Sequence, residues 1–417
     1  MYIQLPYAHG YYGIHLPDAL PCRTLQASSW PALERLDIEL ESRVESSLHD
    51  LFQKKPPTSV RHVAIAIPDE TRPTPVKSIL PVLLDKLSSM LPALSGEHIS
   101  VIVCGGLHPP PDEAGLQALL PMDKLGAIKV LAHDAGQSEF IDYGPTSRGT
   151  PVAINAQFAR ADLKIVIGQV DPHQFVGFTG GAKGVVIGAG AEKTIEHNHS
   201  LLFEENARVG VLEGNPVRED MNEAGRLIGI DMALNVVLNP AKEVVDVFAG
   251  EPEDVLRQGA SLCSKVYGVS LDERFDIIVA SCGGYPKDIT LYQAQKGLNM
   301  ASQALKPGGK ILLLAACEQG VGDQRYYDYA CSFQSIQDAM QDFKSRSFEM
   351  GLHKCYLFGC TLNKHEAVIH TELEQETIAN CLLAKGEAQK TLNAWIASFP
   401  GTPSIGVVPY ANTTYFY

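Results

Sequence analysis

Short apolar stretches recur along the chain, each bounded by Gly, Pro or Asp. Those richest in β-branched residues cover residues 63–67, 99–103, 128–131, 163–167, 276–280 and 310–314. Near-continuous apolar runs of this length are typical of parallel strands buried on both faces. Longer stretches with helical spacing of apolar residues cover 76–90, 289–305 and 372–399. Alternation of such strands and helices predicts an α/β fold with mostly parallel sheets and crossover helices.

The chain has 417 residues, a length that suggests two or three domains. A new β-α-β pattern begins near residue 270, and this pattern predicts a domain boundary just before that residue. We therefore expect an N-terminal α/β domain over residues 1–268 and a C-terminal α/β domain over 269–400, with the active site in the cleft between them. Residues 401–417 contain another short strand, which either domain could hold; a return to the N-terminal domain is one expectation.

The composition is that of a soluble globular protein, with 45% hydrophobic and 20% charged residues. A formal net charge of -14 disfavours binding to nucleic acid or anionic membranes, so an anionic ligand requires a local basic site. No apolar run approaches the roughly 18 residues that cross a bilayer, and the first residues do not follow the order of a signal peptide. The nine cysteines form no Cys-x-x-Cys pair, which favours a reducing compartment. We therefore expect a cytoplasmic protein.

Polar residues follow two of the predicted strands directly. Asp69 and Arg72 come after the strand at 63–67 and offer an acceptor and a planar donor fork for carboxylate or phosphate. His108 follows the strand at 99–103 within Cys-Gly-Gly-Leu-His-Pro, a suitable position for a general base. A surface turn and an inert loop histidine are the alternatives that these segments leave open.

The segment from Asp171 to residue 199 follows the strand at 163–167 and is rich in glycine. His173 lies just past that strand, and the glycines allow close backbone approach to a phosphate with Lys183 as a cation. The order of residues around Lys183 is not that of a P-loop, and packed turns also explain the glycines. His197 and His199 are separated by about 200° on a helix, so only one of them could ligate a given metal ion.

A fourth candidate lies at the start of the helix predicted over residues 289–305. Tyr292 and Lys296 are four residues apart and share one face, with Gln293 beside them. Exposed amides at a helix start favour an anion. A capped helix with a solvated lysine is the alternative.

Taken together, these motifs resemble those of the nickel-dependent lactate racemase family. The resemblance rests on Asp69-x-Thr-Arg-Pro, Gly-Leu-His108-Pro, Asp-Pro-His173 with Gly-Gly-x-Lys183, His199, and Leu-Tyr-Gln-x-x-Lys296. These motifs cover roughly residues 60 to 300, in the family's order.

The resemblance implies a racemase or epimerase of a 2-hydroxy acid with a nickel-pincer nucleotide. This cofactor is a pyridinium mononucleotide with two sulfur-bearing arms, which dedicated biosynthetic enzymes supply. By resemblance, the N-terminal domain binds the cofactor, Lys183 is its covalent attachment point and His199 is a nickel ligand. The other implied cofactor contacts are Asp69, Glu70, Thr71, Arg72, Gly180 and Gly181.

The same resemblance implies hydride transfer from the substrate to the cofactor pyridinium. His108 and His173 would exchange the hydroxyl proton as acid and base, one on each side of the substrate. The residues implied to bind the substrate are Arg72, Tyr292, Gln293 and Lys296.

The chain departs from the family at Gly106-Leu107-His108-Pro109, where many members have Gly-Thr-His-Arg-Pro. This departure leaves the substrate's side chain open, and the sequence also leaves open the oligomeric state, a homo-oligomer included. One alternative is an NAD-type 2-hydroxy acid dehydrogenase, although the Gly-x-Gly-x-x-Gly order is lacking after the strand. The other is a non-catalytic nickel- or nucleotide-binding protein, which has no need for two bases.

Overall fold

The computed structural model describes residues 1–346 and 348–417, and these form two compact units. Ser29–Val266 is termed the central unit, and Met1–Ser28 together with Tyr267–Tyr417 is termed the terminal unit. No helix in the described part of the chain is both long and apolar enough to cross a membrane.

Within these residues, strands β1 to β19 have the following bounds in chain order: Tyr2–Tyr7, Gly10–His15, Cys22–Thr24, Val63–Pro68, Ile99–Cys104, Lys129–Ala132, Phe140–Pro145, Pro151–Asn155, Leu163–Gln169, Pro172–His173, Gly177–Phe178, Met232–Leu238, Val244–Gly250, Gly268–Val269, Phe275–Ser281, Leu305–Leu314, Glu366–His370, Ile405–Val408 and Tyr415–Phe416. Helices α1 to α15 are Leu36–Lys54, Val76–Met90, Glu113–Leu119, Met122–Leu125, Ala156–Ala159, Lys183–Val186, Glu192–Ser200, Pro216–Ile228, Pro252–Tyr267, Leu291–Ser302, Gln324–Cys331, Ile336–Ser345, His353–Leu362, Gln375–Asn380 and Ala388–Ser398. Short 3-10 turns cover Pro57–Ser59, Gly96–His98 and Leu201–Phe203.

The central unit is built on a six-stranded sheet in the order β13-β12-β9-β4-β5-β6. Its strands are parallel except for the edge strand β13, which runs antiparallel to β12. Helix α2 presents apolar residues three and four apart, such as Ile79 and Leu83, to the apolar core under this sheet. Burial on both faces explains why β4 reads as an unbroken apolar run in the sequence and β9 as a nearly continuous one, interrupted by Lys164.

The terminal unit is built on a five-stranded parallel sheet in the order β17-β16-β15-β18-β3. The hairpin of β1 and β2 contributes Leu5 and Ile14 to the same core as Ile277 and Val279 of β15. The prediction of an α/β fold with mostly parallel sheets is thus confirmed in both units.

Three details differ from the sequence-based expectation. The first 28 residues belong to the terminal unit and not to an N-terminal domain, because β3 pairs with β18 and the β1–β2 hairpin is buried against β15. Residues 401–417 stay in the terminal unit for the same reason, since β18 also pairs with β15. The helix predicted over 372–399 is two helices, α14 and α15. Between them Leu382 has a φ of 62° and Gly386 packs tightly on Val368 and Thr391.

Candidate active site

Three neighbouring strands of the central sheet deliver the predicted polar residues to one edge. Strands β9, β4 and β5 are adjacent and parallel, so the loops that follow them leave from the same side of the sheet. The loop after β4 carries residues 69–72, the loop after β5 carries His108, and the segment after β9 carries His173. The sequence motifs of the central unit therefore meet at one sheet edge.

Asp69 and His108 form a direct pair at this edge. The Oδ2 atom of Asp69 lies 2.6 Å from Nδ1 of His108, and Oδ1 accepts a hydrogen bond from the Thr71 hydroxyl at 2.7 Å. The Asp69 side chain is 5% exposed, whereas that of His108 is 44% exposed. A buried carboxylate thus holds one ring nitrogen while the rest of the imidazole faces outward. Glu70, Thr71 and Arg72 are exposed.

Electrostatics keep the Asp69 carboxyl ionised. Burial, the largest single influence, raises the pKa of Asp69. The hydrogen bonds from His108 and Thr71, with the positive charges of His108 and Arg72, outweigh it, so the pKa lies below its ordinary value. At neutral pH Asp69 is therefore an acceptor, and neutral His108 must carry its proton on Nδ1. This leaves Nε2 of His108 with a lone pair.

The His108 loop is anchored to the segment that follows the short helix of Lys183. Gly106 has a φ of 63°, and its N–H donates to the carbonyl oxygen of Gly188 at 3.0 Å. A Cβ on Gly106 would stand 3.0 Å from the Ile187 carbonyl oxygen, so the close approach needs glycine. The loops bearing His108 and Lys183 therefore have a fixed spacing.

His173 and His199 contact the same aromatic ring. The Phe175 ring centroid lies 4.7 Å from that of His173 and 5.1 Å from that of His199, both in edge-on geometry. The Val176 N–H donates to Nδ1 of His173 at 3.3 Å, so in the neutral ring the proton lies on Nε2. Phe175 thus sets the spacing of two histidines that are 26 residues apart in the sequence.

His199 is 6% exposed and neutral. The pKa of His199 is lowered to about 3, mainly by burial and also by the positive charge of Lys183. The charge effect means that the Lys183 ammonium is near the imidazole. A buried, unprotonated imidazole beside a lysine is suited to metal binding, because ligation requires the neutral ring.

His197 points elsewhere, as the 200° separation predicts. Its Nδ1 lies 2.9 Å from the Thr150 hydroxyl, which itself donates to Asp220 at 2.7 Å. Asn198 also donates to the buried Asp220 at 2.7 Å. This network ties α7 to α8 and so fixes the helix that carries His199.

Arg218 binds the backbone of the glycine-rich segment. No sequence motif indicates this role. Its fully buried guanidinium donates to the backbone carbonyls of Val176, Phe178 and Gly180. Burial lowers the pKa of Arg218 to about 9, so it stays charged at neutral pH. Arg218 thereby fixes the backbone between His173 and Lys183. On the other side of Gly180, Asn235 Oδ1 accepts from the Gly181 N–H at 2.8 Å.

The fourth predicted group lies in the terminal unit. Thr290 caps α10 by accepting from the Gln293 N–H at 3.3 Å. Gln293 is exposed, while Tyr292 and Lys296 are half-buried on the neighbouring face of the helix. Burial raises the pKa of Tyr292, so its hydroxyl keeps its proton.

The described residues contain no group of three or more His, Cys, Asp or Glu side chains placed to hold a metal ion.

Comparison with known proteins gives a consistent result. Residues 7–210 match the family model of the lactate racemase N-terminal domain, and residues 271–394 match that of the lactate racemase C-terminal domain. The chain is 30% identical over 354 residues to the lactate racemase of Thermoanaerobacterium thermosaccharolyticum, covering 82% of this chain and 81% of that protein. It is 33% identical over 269 residues to the lactate racemase of Lactiplantibacillus plantarum, covering 64% and 62%.

Among solved structures, the lactate racemase apoprotein of T. thermosaccharolyticum superimposes with a TM-score of 0.90 at 25% identity, over 100% of both chains. A Thermotoga maritima protein has the same fold, with a TM-score of 0.63 at 15% identity, over 93% of this chain and 100% of that one.

Proposed function

The chain belongs to the lactate racemase family, and from this premise we propose that it is an isomerase that racemises or epimerises a 2-hydroxy acid with a lysine-tethered nickel-pincer nucleotide. The observation that carries the proposal is the burial of His199 as a neutral imidazole on which the charge of Lys183 acts. Lys183 offers an amine for covalent attachment, and His199 offers an imidazole for nickel.

The residues present fit this cofactor. Lys183 would hold it covalently and His199 would provide the protein's ligand to nickel, while the cofactor's own sulfur and carbon atoms would supply the other donors, a soft set that suits Ni(II). The other residues that would contact it are Asp69, Glu70, Thr71, Arg72, Gly180 and Gly181. When bound, the nucleotide would supply a pyridinium carbon that can accept a hydride.

His108 is the proposed base for the substrate's hydroxyl group. Asp69 holds the Nδ1 proton, so the Nε2 lone pair of His108 is available to accept the hydroxyl proton. Once His108 is protonated, the buried Asp69 carboxylate stabilises the imidazolium at 2.6 Å. Removal of this proton by His108 would assist loss of the Cα hydrogen as a hydride, for which the bound cofactor would supply the acceptor, so that the 2-hydroxy acid would become a 2-keto acid.

His173 is the proposed second acid/base residue. With Nδ1 accepting from Val176, the neutral ring presents an Nε2–H that can donate to the substrate oxygen. To accept a proton at Nε2, His173 must instead carry its proton on Nδ1 and give up the Val176 contact.

Arg72, Tyr292, Gln293 and Lys296 are the proposed substrate-binding residues. A guanidinium fork and a lysine point charge together suit a carboxylate. The further proposals are that the enzymes of cofactor biosynthesis are the chain's partners and that it acts in the cytoplasm.

The test combines cofactor loading with turnover. The chain is produced beside the cofactor's biosynthetic enzymes, and its intact mass and nickel content are measured. We expect a nucleotide-sized adduct on Lys183 and near-stoichiometric nickel. His108→Ala and His173→Ala should keep the adduct and the nickel. Their racemisation rates should fall by a factor of at least about 10², the lower range for a general base.

His49→Ala, a change at an exposed histidine of α1, is the matched control and should behave as the wild type. An unmodified, nickel-free wild type would refute the proposal. Loss of loading in both histidine variants, with no turnover in any preparation, would favour a non-catalytic binding protein.

A further inference from the structure

The terminal unit buries a lysine that the proposed reaction does not use. Lys354, on α13, is 6% exposed. Its Nζ donates to Gln295 Oε1 at 3.0 Å and lies 4.5 Å from the centroid of the Tyr292 ring. Both partners are uncharged, and no described carboxylate forms an ion pair with Lys354 within 4.0 Å. Burial of an ammonium without a counter-charge is costly, so this position needs an explanation.

A second cation is close to Lys354. The pKa of Lys354 is lowered to about 7, mainly by burial and also by the charge of Lys296. Asp323 acts in the opposite direction, but its carboxylate already accepts from the Tyr326 N–H at 3.0 Å and from Arg325 at 3.2 Å. Asp323, the carboxylate whose charge acts on Lys354, is thus already bound by Tyr326 and Arg325.

The side-chain amide of Gln295 offers a further hydrogen-bond donor next to Lys354. It is completely buried, and its Oε1 accepts from Lys354. Its Nε2 is buried and has no hydrogen-bond partner. Buried amide groups are nearly always satisfied, so an unpaired Nε2 beside an ammonium indicates an absent acceptor. A carboxylate is the acceptor that both donors bind most strongly.

This inference rests on the proposed function, in which the substrate's 1-carboxylate is bound by Arg72, Gln293 and Lys296. A carboxylate has about four acceptor positions, and a bidentate arginine, one amide and one ammonium fill them. Lys354 and the Gln295 amide are therefore left for a second anionic group. We propose that the substrate is a 2-hydroxy acid with a second carboxylate, which Lys354 and Gln295 bind.

The test compares acids with one and two carboxylates on the cofactor-loaded protein. Single enantiomers of lactate, malate and 2-hydroxyglutarate are supplied, and racemisation is followed by chiral chromatography. We expect kcat/KM for at least one of the two dicarboxylates to exceed that for lactate by at least about tenfold, the equivalent of one charge-assisted hydrogen bond.

Lys354→Met keeps the length and apolar body of the side chain and removes the charge. It should lower kcat/KM for the preferred dicarboxylate by about tenfold to a hundredfold, mainly through KM, and change that for lactate by less than about threefold. Gln295→Leu should act in the same direction. Lys364→Met, at an exposed lysine just past α13, is the matched control. Thermal unfolding identifies any variant that fails to fold.

The inference is overturned if the wild type racemises lactate at least as well as both dicarboxylates, a result that needs no variant. It is also overturned if folded Lys354→Met keeps the wild-type ratio of dicarboxylate to lactate. A loaded protein that racemises no acid of either class removes the proposed function itself, and the inference with it.

Discussion

Replacing Asp69 by asparagine tests the central feature of the candidate site, the carboxylate that holds His108. The amide has nearly the same shape, so the loop after β4 should keep its fold. Its oxygen can still accept from Thr71, but its NH₂ group would then face Nδ1 of His108, 2.6 Å away in the wild type. An NH₂ donor there stabilises the tautomer with the proton on Nε2, which removes the lone pair that accepts the hydroxyl proton.

The exposure of the His108 side chain to solvent determines the expected size of the effect on kcat. General-base catalysis contributes about 10² to 10⁴ in rate. The His108 side chain is 44% exposed, so water can partly replace the lost carboxylate and the low end applies. We expect kcat to fall by about 10², equivalent to about 2.7 kcal/mol in the activation free energy.

The assay measures kcat and its pH profile on protein of matched nickel and adduct content. Asp112→Asn is the control, because Asp112 caps α3 by accepting from the Gly115 N–H at 2.8 Å and asparagine caps equally well. A kcat within about threefold of the wild type would refute the role given to Asp69. A fall in kcat that merely follows loss of nickel or adduct would instead assign Asp69 to cofactor binding.

Three further predictions concern the segment between His173 and His199. Lys183→Ala should abolish the covalent adduct in intact-mass spectra; the same adduct on the variant would disprove the attachment point. His199→Ala should lower nickel retention after dialysis while the organic adduct stays in place, and full nickel occupancy would exclude the ligand role. Arg218→Met should lower the free energy of unfolding, measured in urea, by at least about 3 kcal/mol, because three buried backbone carbonyls lose a charged donor. An unchanged midpoint of the urea unfolding curve would show that these carbonyls find other partners.

The sequence predicts local features of this fold well and long-range ones poorly. The helix expected over 76–90 is observed as Val76–Met90, because its apolar spacing and flanking prolines are local signals. The pairing of Cys22–Thr24 with Ile405–Val408 has no such signal, since parallel strand pairing depends on tertiary contacts between distant segments. That is why the first residues were expected in the wrong unit.

The same division applies to the candidate site. The position of His108 past a strand end was visible in the sequence, because strand ends and loop histidines are local. The pairing of His108 with Asp69 is not visible in the sequence, since the two residues are 39 positions apart and the motif around Asp69 indicates ligand and cofactor contacts. Arg218 gave no signal at all, because a buried arginine in an amphipathic helix reads as an ordinary exposed one.

The pairing of β3 with β18 also orders events during synthesis. A ribosome completes Ser29–Val266 long before β18 emerges, so the central unit can fold while the chain is still being made. The terminal unit cannot, because the strand that joins β3 to its sheet is made some 380 residues after β3. The apolar residues of the β1–β2 hairpin therefore stay exposed at least until β15, Phe275–Ser281, has been made. Early chain termination would cost this protein one unit and leave the other able to form.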